Sequence, residues 1–192
     1  KETGVLRRSV EAVVESAATR GVNVTADELF KLVRTHSAGA AAASIATGVL
    51  PGAGATLSVI ANTGFVWSLY YRIRVKLGIN VKKELLKALG SAFITNASAN
   101  VVSLIITSTV LSFIPGFGTV GAATVCGLVG YGITYYSGII FMQLLVRVFK
   151  TGGQLENMSA EELKQQMADL TKEVRYDSIK EEVKTAFKER KQ

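Results

Sequence analysis

The sequence contains one cysteine, one histidine and two prolines among 192 residues. A single cysteine excludes an internal disulfide framework, and Cys126 lies in an apolar stretch where a structural thiol is expected. His36 has no cysteine, histidine or carboxylate cluster beside it that would complete a metal site. A serine nucleophile is equally unsupported, because no Gly-X-Ser-X-Gly turn occurs. We therefore expect a protein that is not an enzyme and that has no metal and no cofactor.

Charge is absent from two long stretches, residues 37–71 and 88–146. The chain is 48% hydrophobic with a mean hydropathy of +0.30, although 19% of its residues are charged. Acidic and basic residues are therefore segregated from the apolar ones along the chain. Neither a disordered protein nor a protein of low complexity has this composition.

The net charge of +7 is concentrated in one connector, residues 72–87, which carries six Lys/Arg and one acidic residue. A basic patch is the only sequence feature consistent with nucleic acid, so nucleic acid is not expected as a partner. A short basic segment between two uncharged stretches is typical of contact with anionic lipid headgroups. The residues expected to make that contact are Arg72, Arg74, Lys76, Lys82, Lys83 and Lys87.

The same five-residue pattern interrupts each uncharged stretch, as Leu-Pro-Gly-Ala-Gly at 50–54 and Ile-Pro-Gly-Phe-Gly at 114–118. Proline presets φ and glycine accepts positive φ, so each pattern predicts a sharp turn between two helices. A phosphate-binding loop is disfavoured, since no Gly-Lys-Ser/Thr follows and the surroundings are helical in pattern. The 64-residue spacing indicates an internal duplication of helical hairpins. The predicted turn residues are Pro51, Gly52, Gly54, Pro115, Gly116 and Gly118.

Two stripes run along the arms of the second predicted hairpin. The stripe on the first arm is polar, and the stripe on the second arm consists of small residues. In a hairpin that turns at Pro115, two residues that face each other should have numbers that total about 230, and the members of the two stripes pair in this way. Small residues allow close approach of two helices, and polar side chains can bond across the gap. The alternative is that the polar stripe lines a pore. The two stripes comprise Asn96, Asn100, Ser103 and Thr107, and Ala123, Gly127, Gly130 and Thr134.

The first hairpin is predicted with the same logic, because Ala43 and Ala61 have numbers that total 104. Its arms reach roughly 20–25 Å, short of a ~30 Å hydrocarbon core, whereas the arms of the second reach roughly 40 Å. A re-entrant first hairpin and a spanning second one would leave every charged segment on one side. Trp67, Tyr70 and Tyr71 then form an interfacial belt, or alternatively pack on the next helix.

Amphipathic helices are expected on both sides of this hydrophobic part. One helix is predicted over Val5–Thr19, and capping boxes at Thr25 and Ser159 predict helices from Ala26 and Ala160. A last helix is predicted over Val174–Lys188. We divide the chain into N-terminal amphipathic helices (1–36), a duplicated hairpin domain (37–150) and charged C-terminal helices (151–192).

Residues 40–150 resemble a bacterial family of membrane domains, the YcjF-like family. The resemblance lies in Ala46–Ala55 around the first turn, in Tyr70-Tyr-Arg-Ile-Arg, in Gly78-Ile-Asn-Val and in Phe113–Thr119 around the second. It implies a helical domain that associates with membranes and often follows a small GTPase domain. This chain has no GTPase motif of its own, so a GTPase would be a partner.

The sequence thus predicts an all-α, membrane-associated protein built on two Pro-Gly hairpins. Its expected function is that of an anchor or membrane-remodelling module that works with a GTPase or another soluble partner and forms homo-oligomers. The expected location is the bacterial inner membrane or an equivalent, with the charged segments on the cytoplasmic side. The alternatives are an oligomeric pore and a soluble helical protein that binds a lipid or a partner.

Overall fold

A computed structural model describes the backbone of residues 4–48, 54–110 and 119–189, and the side chains of 4–47, 61–96 and 123–189. The described residues form seven α-helices and two short 3-10 turns without a β-strand, so the predicted all-α class is confirmed. The α-helices are α1 (Val5–Ala18), α2 (Ala26–Gly48), α3 (Gly54–Lys76), α4 (Lys83–Val110), α5 (Thr119–Lys150), α6 (Ala160–Glu173) and α7 (Lys180–Glu189).

Both predicted capping boxes are present and set the start of their helices. The Glu28 backbone N–H donates to Thr25 Oγ1 at 3.2 Å, and the Thr25 N–H donates to the Glu28 carboxylate at 3.0 Å. Ser159 and Glu162 make the same reciprocal pair at the start of α6. These bonds satisfy N–H groups that have no partner inside the first helical turn.

α2 and α3 are antiparallel, with the register that the total of 104 predicts. A Cβ placed on Gly39 would lie 2.6 Å from the ring of Phe65, so these positions are level. The Nε2 atom of His36 lies 3.4 Å from the Ser68 hydroxyl, one turn further from the chain reversal. The reversal itself, residues 49–53, lies outside the described residues.

α4 and α5 face each other at the predicted level, and Gly127 and Gly130 of α5 contact α2. Phe93 and Tyr136, whose numbers total 229, are in edge contact with centroids 5.5 Å apart. A Cβ on Gly130 would instead meet Ser44 Oγ and the Ala40 carbonyl oxygen of α2. Gly130 thus contacts α2, and because the side chains of Asn100 and Ser103 lie outside the described residues, the predicted pairing with the polar stripe of α4 stays a prediction. Because α5 is apolar on nearly all sides, its sequence does not show which helix each side contacts.

α5 is the centre of the fold and contacts all six of the other α-helices. Tyr131, Tyr135, Tyr136 and Phe141 are almost completely buried on it, and Phe141 stacks on Tyr70 of α3 at 4.1 Å. One hydrophobic cluster runs from Leu6 in α1 through α5 to Phe187 in α7. The core is thus shared by all three segments of the predicted domain division.

The tail differs from the single helix predicted over Val174–Lys188. A 3-10 turn occupies Tyr176–Ser178, and α7 begins only at Lys180. The Tyr136 hydroxyl donates to the carbonyls of Thr171 and Val174, at 3.0 and 2.6 Å, so the end of α6 is fixed on α5. The buried Tyr176 ring then packs edge-on against Tyr136. This side-chain anchoring breaks the helix that local propensity favours.

Candidate functional site

The connector between α3 and α4 presents cations stacked on aromatic rings, which we call the basic–aromatic ladder. Lys87 Nζ lies 5.0 Å from the centroid of Trp67. Lys83 Nζ and the Arg74 guanidinium lie 5.3 and 5.6 Å from that of Tyr71. Each distance is within the range of a cation–π interaction. The ladder therefore places three positive charges beside aromatic rings on one surface.

Helical spacing produces the ladder. Trp67, Tyr71 and Arg74 follow one another at intervals of four and three along α3, and Lys83 and Lys87 are four apart on α4, so each set shares a face. The two helices are joined by a tight connection in which Gly78 has φ +61°. Arg74 Nε donates to the Ile79 carbonyl at 3.0 Å and so holds the connection against α3.

The six basic residues predicted for headgroup contact are divided between two surfaces. Arg74, Lys83 and Lys87 belong to the ladder, and Lys82 is exposed just before α4. Arg72 and Lys76 instead line a groove between α2 and α3. Lys76 Nζ pairs there with the Glu28 carboxylate at 2.6 Å. This lysine and the Thr25 cap lower the pKa of the Glu28 carboxyl to about 2.

The groove between α2 and α3 is open to solvent and has a volume of about 780 Å³. Its end near the connector carries Lys31, Arg72 and Lys76, and its other end is formed by Gly39, Ala61, Gly64 and the Phe65 ring. Most of the exposed lining is apolar. A cationic end and an apolar end in one groove match a ligand with an anionic head and a hydrocarbon chain.

His36 lies at the middle of the groove wall and is neutral at neutral pH. Burial lowers the pKa of its imidazole. The hydrogen bond to the Leu32 carbonyl opposes this shift, and the neighbouring Arg72 guanidinium adds a smaller lowering effect. That carbonyl is 2.9 Å from Nδ1 and can only accept, so Nδ1 carries the hydrogen and Nε2 accepts from Ser68. His36 is therefore a polar, uncharged part of the wall.

The predicted stripes are only partly within the described side chains. Gly127 packs against Ile45 and Phe187, and Thr134 is fully buried. Asn96 is exposed. The side chains of Asn100, Ser103 and Thr107 lie outside the described residues, as do the predicted turn residues Pro51, Gly52, Pro115, Gly116 and Gly118. Gly54 is the first residue of α3.

A carboxylate that the sequence did not single out joins the two ends of the described chain. Glu182 of α7 accepts the backbone N–H groups of Val5 and Leu6 at 2.6 and 3.1 Å, and the Tyr135 hydroxyl at 2.7 Å. Burial and the nearby carboxylate raise the pKa of Tyr135. Glu182 stands in a mixed-charge helix like many surface residues, so no local pattern marks it. We call this contact the Glu182 clasp.

Two further features bear on function. Among the described residues, no group of three His, Cys, Asp or Glu side chains is placed to hold a metal ion. One described helical stretch, Ala123–Lys150, is long and apolar enough to cross a membrane, and 83% of its most apolar window is buried inside the protein. Over this stretch α5 is therefore a core helix of the folded chain.

No family model, curated protein or solved structure matches this chain.

Proposed function

We propose that this protein is a membrane-associated helical module that serves as an anchor or a membrane-remodelling effector. The observation that carries the proposal is the basic–aromatic ladder, which lies at the base of the uncharged part of α4. Lysine side chains that lie over tryptophan and tyrosine rings are typical of the interface between headgroups and hydrocarbon. In this proposal the ladder binds anionic headgroups, and the uncharged ends of the helices enter the bilayer.

The length of α4 supports this arrangement. From Lys87 the helix continues to Val110 without a charged residue. These 23 residues extend ~35 Å at 1.5 Å per residue, and a hydrocarbon core is ~30 Å thick. Phe93, ~9 Å beyond Lys87 along α4, still packs on Tyr136, which holds the end of α6. In this proposal only the part of α4 beyond Phe93 therefore enters the bilayer.

The burial of α5 limits which parts of the helices can enter the bilayer in this proposal. Because α1, α2, α6 and α7 all pack on α5, the buried Ala123–Lys150 part of α5 cannot also face lipid while the core is intact. We therefore propose insertion of the far ends of the helices rather than a free span by α5. The charged helices α1, α6 and α7 then remain in water on the cytoplasmic side of a bacterial inner membrane or its equivalent.

Partners follow from the same proposal. Charged helices left outside the bilayer offer surfaces for a soluble protein, and the resemblance to the YcjF-like family favours a GTPase. We also propose that the inserted ends meet those of other copies, which gives a homo-oligomer. Small and polar residues in the uncharged part of the chain support helix–helix association in lipid.

The ladder can be tested directly because Trp67 is the only tryptophan in the sequence. Purified protein is mixed with vesicles of phosphatidylglycerol or of phosphatidylcholine, and Trp67 emission and co-sedimentation are recorded. We expect binding and a blue shift with the anionic vesicles, both reduced at high salt. Brominated acyl chains should quench Trp67 if the ladder lies at the interface.

Two double variants are compared. The first combines Lys83→Gln and Lys87→Gln in the ladder, and its matched control combines Lys164→Gln and Lys172→Gln on α6. Each lysine near an anionic surface contributes about 1 kcal/mol, so the ladder pair should weaken vesicle binding about thirtyfold. The α6 pair removes the same charge from helix α6 and should change binding much less. Equal losses in both pairs, or no vesicle binding by the unmodified protein, would contradict the proposal.

The buried state of α5 favours a second candidate, a soluble helical protein that binds a lipid or a partner. The described helices bury the Ala123–Lys150 part of α5 in one hydrophobic cluster, as the core of a soluble protein would. Sedimentation analysis without detergent separates the candidates, together with carbonate extraction of native membranes. A monodisperse protein that carbonate releases supports the soluble candidate, and resistance to carbonate supports the inserted one.

A further inference from the structure

We propose that the groove between α2 and α3 binds a single-chain amphiphile with an anionic headgroup. The head would lie at the cationic end with Lys31 and Arg72, and the acyl chain along Gly39 and Phe65. This site is distinct from the basic–aromatic ladder and does not depend on it. A protein that fails to bind vesicles could still bind such a ligand in solution.

The charges at the groove favour an anion. Lys76 is neutralised by Glu28 at 2.6 Å. Lys31 and Arg72 have no ion pair among the described residues, yet both line the groove at its connector end. Two cations without a carboxylate partner beside a shared cavity attract a phosphate or carboxylate, and arginine can bind it through two parallel hydrogen bonds.

The shape of the groove favours a chain behind that anion. Beyond His36 the lining changes to Gly39, Ala61, Gly64 and Phe65, and the exposed area becomes apolar. Phe65 lies so close to Gly39 that a Cβ there would be 2.6 Å from its ring. Glycine at position 39 thus lets the two helices approach while Phe65 forms one apolar wall. The volume of about 780 Å³ lies within the range of small-ligand sites.

The neutral histidine fits between these ends. Its Nδ1–H is bound to the Leu32 carbonyl and its Nε2 accepts from Ser68, so the imidazole brings no charge to the middle of the groove. A hydrocarbon chain can pass a neutral, internally bonded imidazole at lower cost than a charged one.

The test uses dodecyl phosphate below its micelle concentration, titrated into the full chain by calorimetry. We expect saturable binding of one molecule per chain. Inorganic phosphate alone and uncharged dodecyl maltoside should each bind at least about tenfold more weakly, because each lacks one half of the recognition. Tight binding of inorganic phosphate would show an anion site without an acyl chain and would overturn the proposal.

Two variants locate the ligand. Arg72→Gln should weaken binding about tenfold or more, whereas Arg175→Gln, an exposed arginine beyond α6, should leave it unchanged. Gly64→Leu places a side chain where no atom lies within 4 Å of a Cβ, so the protein should fold with the groove partly filled and bind poorly. Unchanged affinity in both Arg72→Gln and Gly64→Leu would place the ligand elsewhere and overturn the proposal, and a thermal melt of each variant confirms folding.

Discussion

Glu182 illustrates how one side chain can join distant parts of the chain. Its carboxylate accepts two N–H groups at the first turn of α1, where α1 has no side-chain cap of its own. A negative charge at a helix N-terminus also interacts favourably with the helix dipole. The clasp therefore links the first and last described helices, and the Tyr135 hydroxyl ties both to α5.

Substitution of Glu182 by Gln should lower the free energy of unfolding by about 1–3 kcal/mol. The amide removes the charge and can present an N–H group where two backbone donors already point. Urea denaturation measures the change. Glu181→Gln is the matched control, because the ion pair of Glu181 in the described structure is with Lys184, three residues along the same helix. This variant should lose less than about 0.5 kcal/mol of the free energy of unfolding. Equal effects at 181 and 182 would contradict the role of the clasp.

His36 predicts a pH dependence with a definite sign. Its pKa is lower in the folded protein than the ordinary value of 6.5, so below that value the unfolded chain binds more protons. Stability is therefore fully present above about pH 6.5 and falls as the pH drops from there to the folded pKa. The Glu28 carboxyl, with a pKa of about 2, contributes in the same direction only below its ordinary value of 4.5.

The measurement is urea unfolding between pH 7.5 and 5.0 for the unmodified protein and for His36→Gln. Because His36 is the only histidine, we expect the fall in stability between about pH 6.5 and 5 to be smaller in the variant. An identical slope in both proteins would show that His36 does not titrate in this way. Glu28 gives no such slope in this range.

At the scale of the helix, two glycines predict opposite outcomes for the same substitution. Gly130→Ala places a Cβ 2.7 Å from the Ala40 carbonyl oxygen, which belongs to the backbone of α2 and cannot rotate away. We expect a loss of about 1–3 kcal/mol in the free energy of unfolding. Gly64→Ala meets no atom within 4 Å on an exposed face of α3 and should gain up to about 1 kcal/mol. Thermal and urea unfolding of both variants compare the two effects.

Helix starts and the pairing of consecutive helices could be predicted where the residues that determine them are close together in the sequence. The capping boxes at Thr25 and Ser159 fix the starts of α2 and α6, and the register of α2 against α3 follows from the spacing about Pro51. The contacts of Gly130 were not predictable, because an apolar helix surrounded by other helices has no polar face to orient it. The groove was missed for a related reason: Lys31 and Arg72 are far apart in sequence and only the register brings them together.

At the scale of the whole molecule, the shared core predicts one cooperative unfolding transition. Residues of α1, α5 and α7 belong to the same hydrophobic cluster, so no predicted segment has a core of its own among the described residues. Calorimetry should give equal calorimetric and van't Hoff enthalpies for the detergent-free protein. Two separated transitions would instead support independent units at 1–36, 37–150 and 151–192.

The central position of α5 has a consequence for biosynthesis. The helices α1 to α4 leave the ribosome before the helix on which they all pack, and synthesis proceeds at only ~5–20 residues per second. Their apolar faces are therefore exposed for seconds until residue 150 has emerged. During that interval the nascent chain presents the hydrophobic surface that chaperones and membrane-insertion machinery recognise.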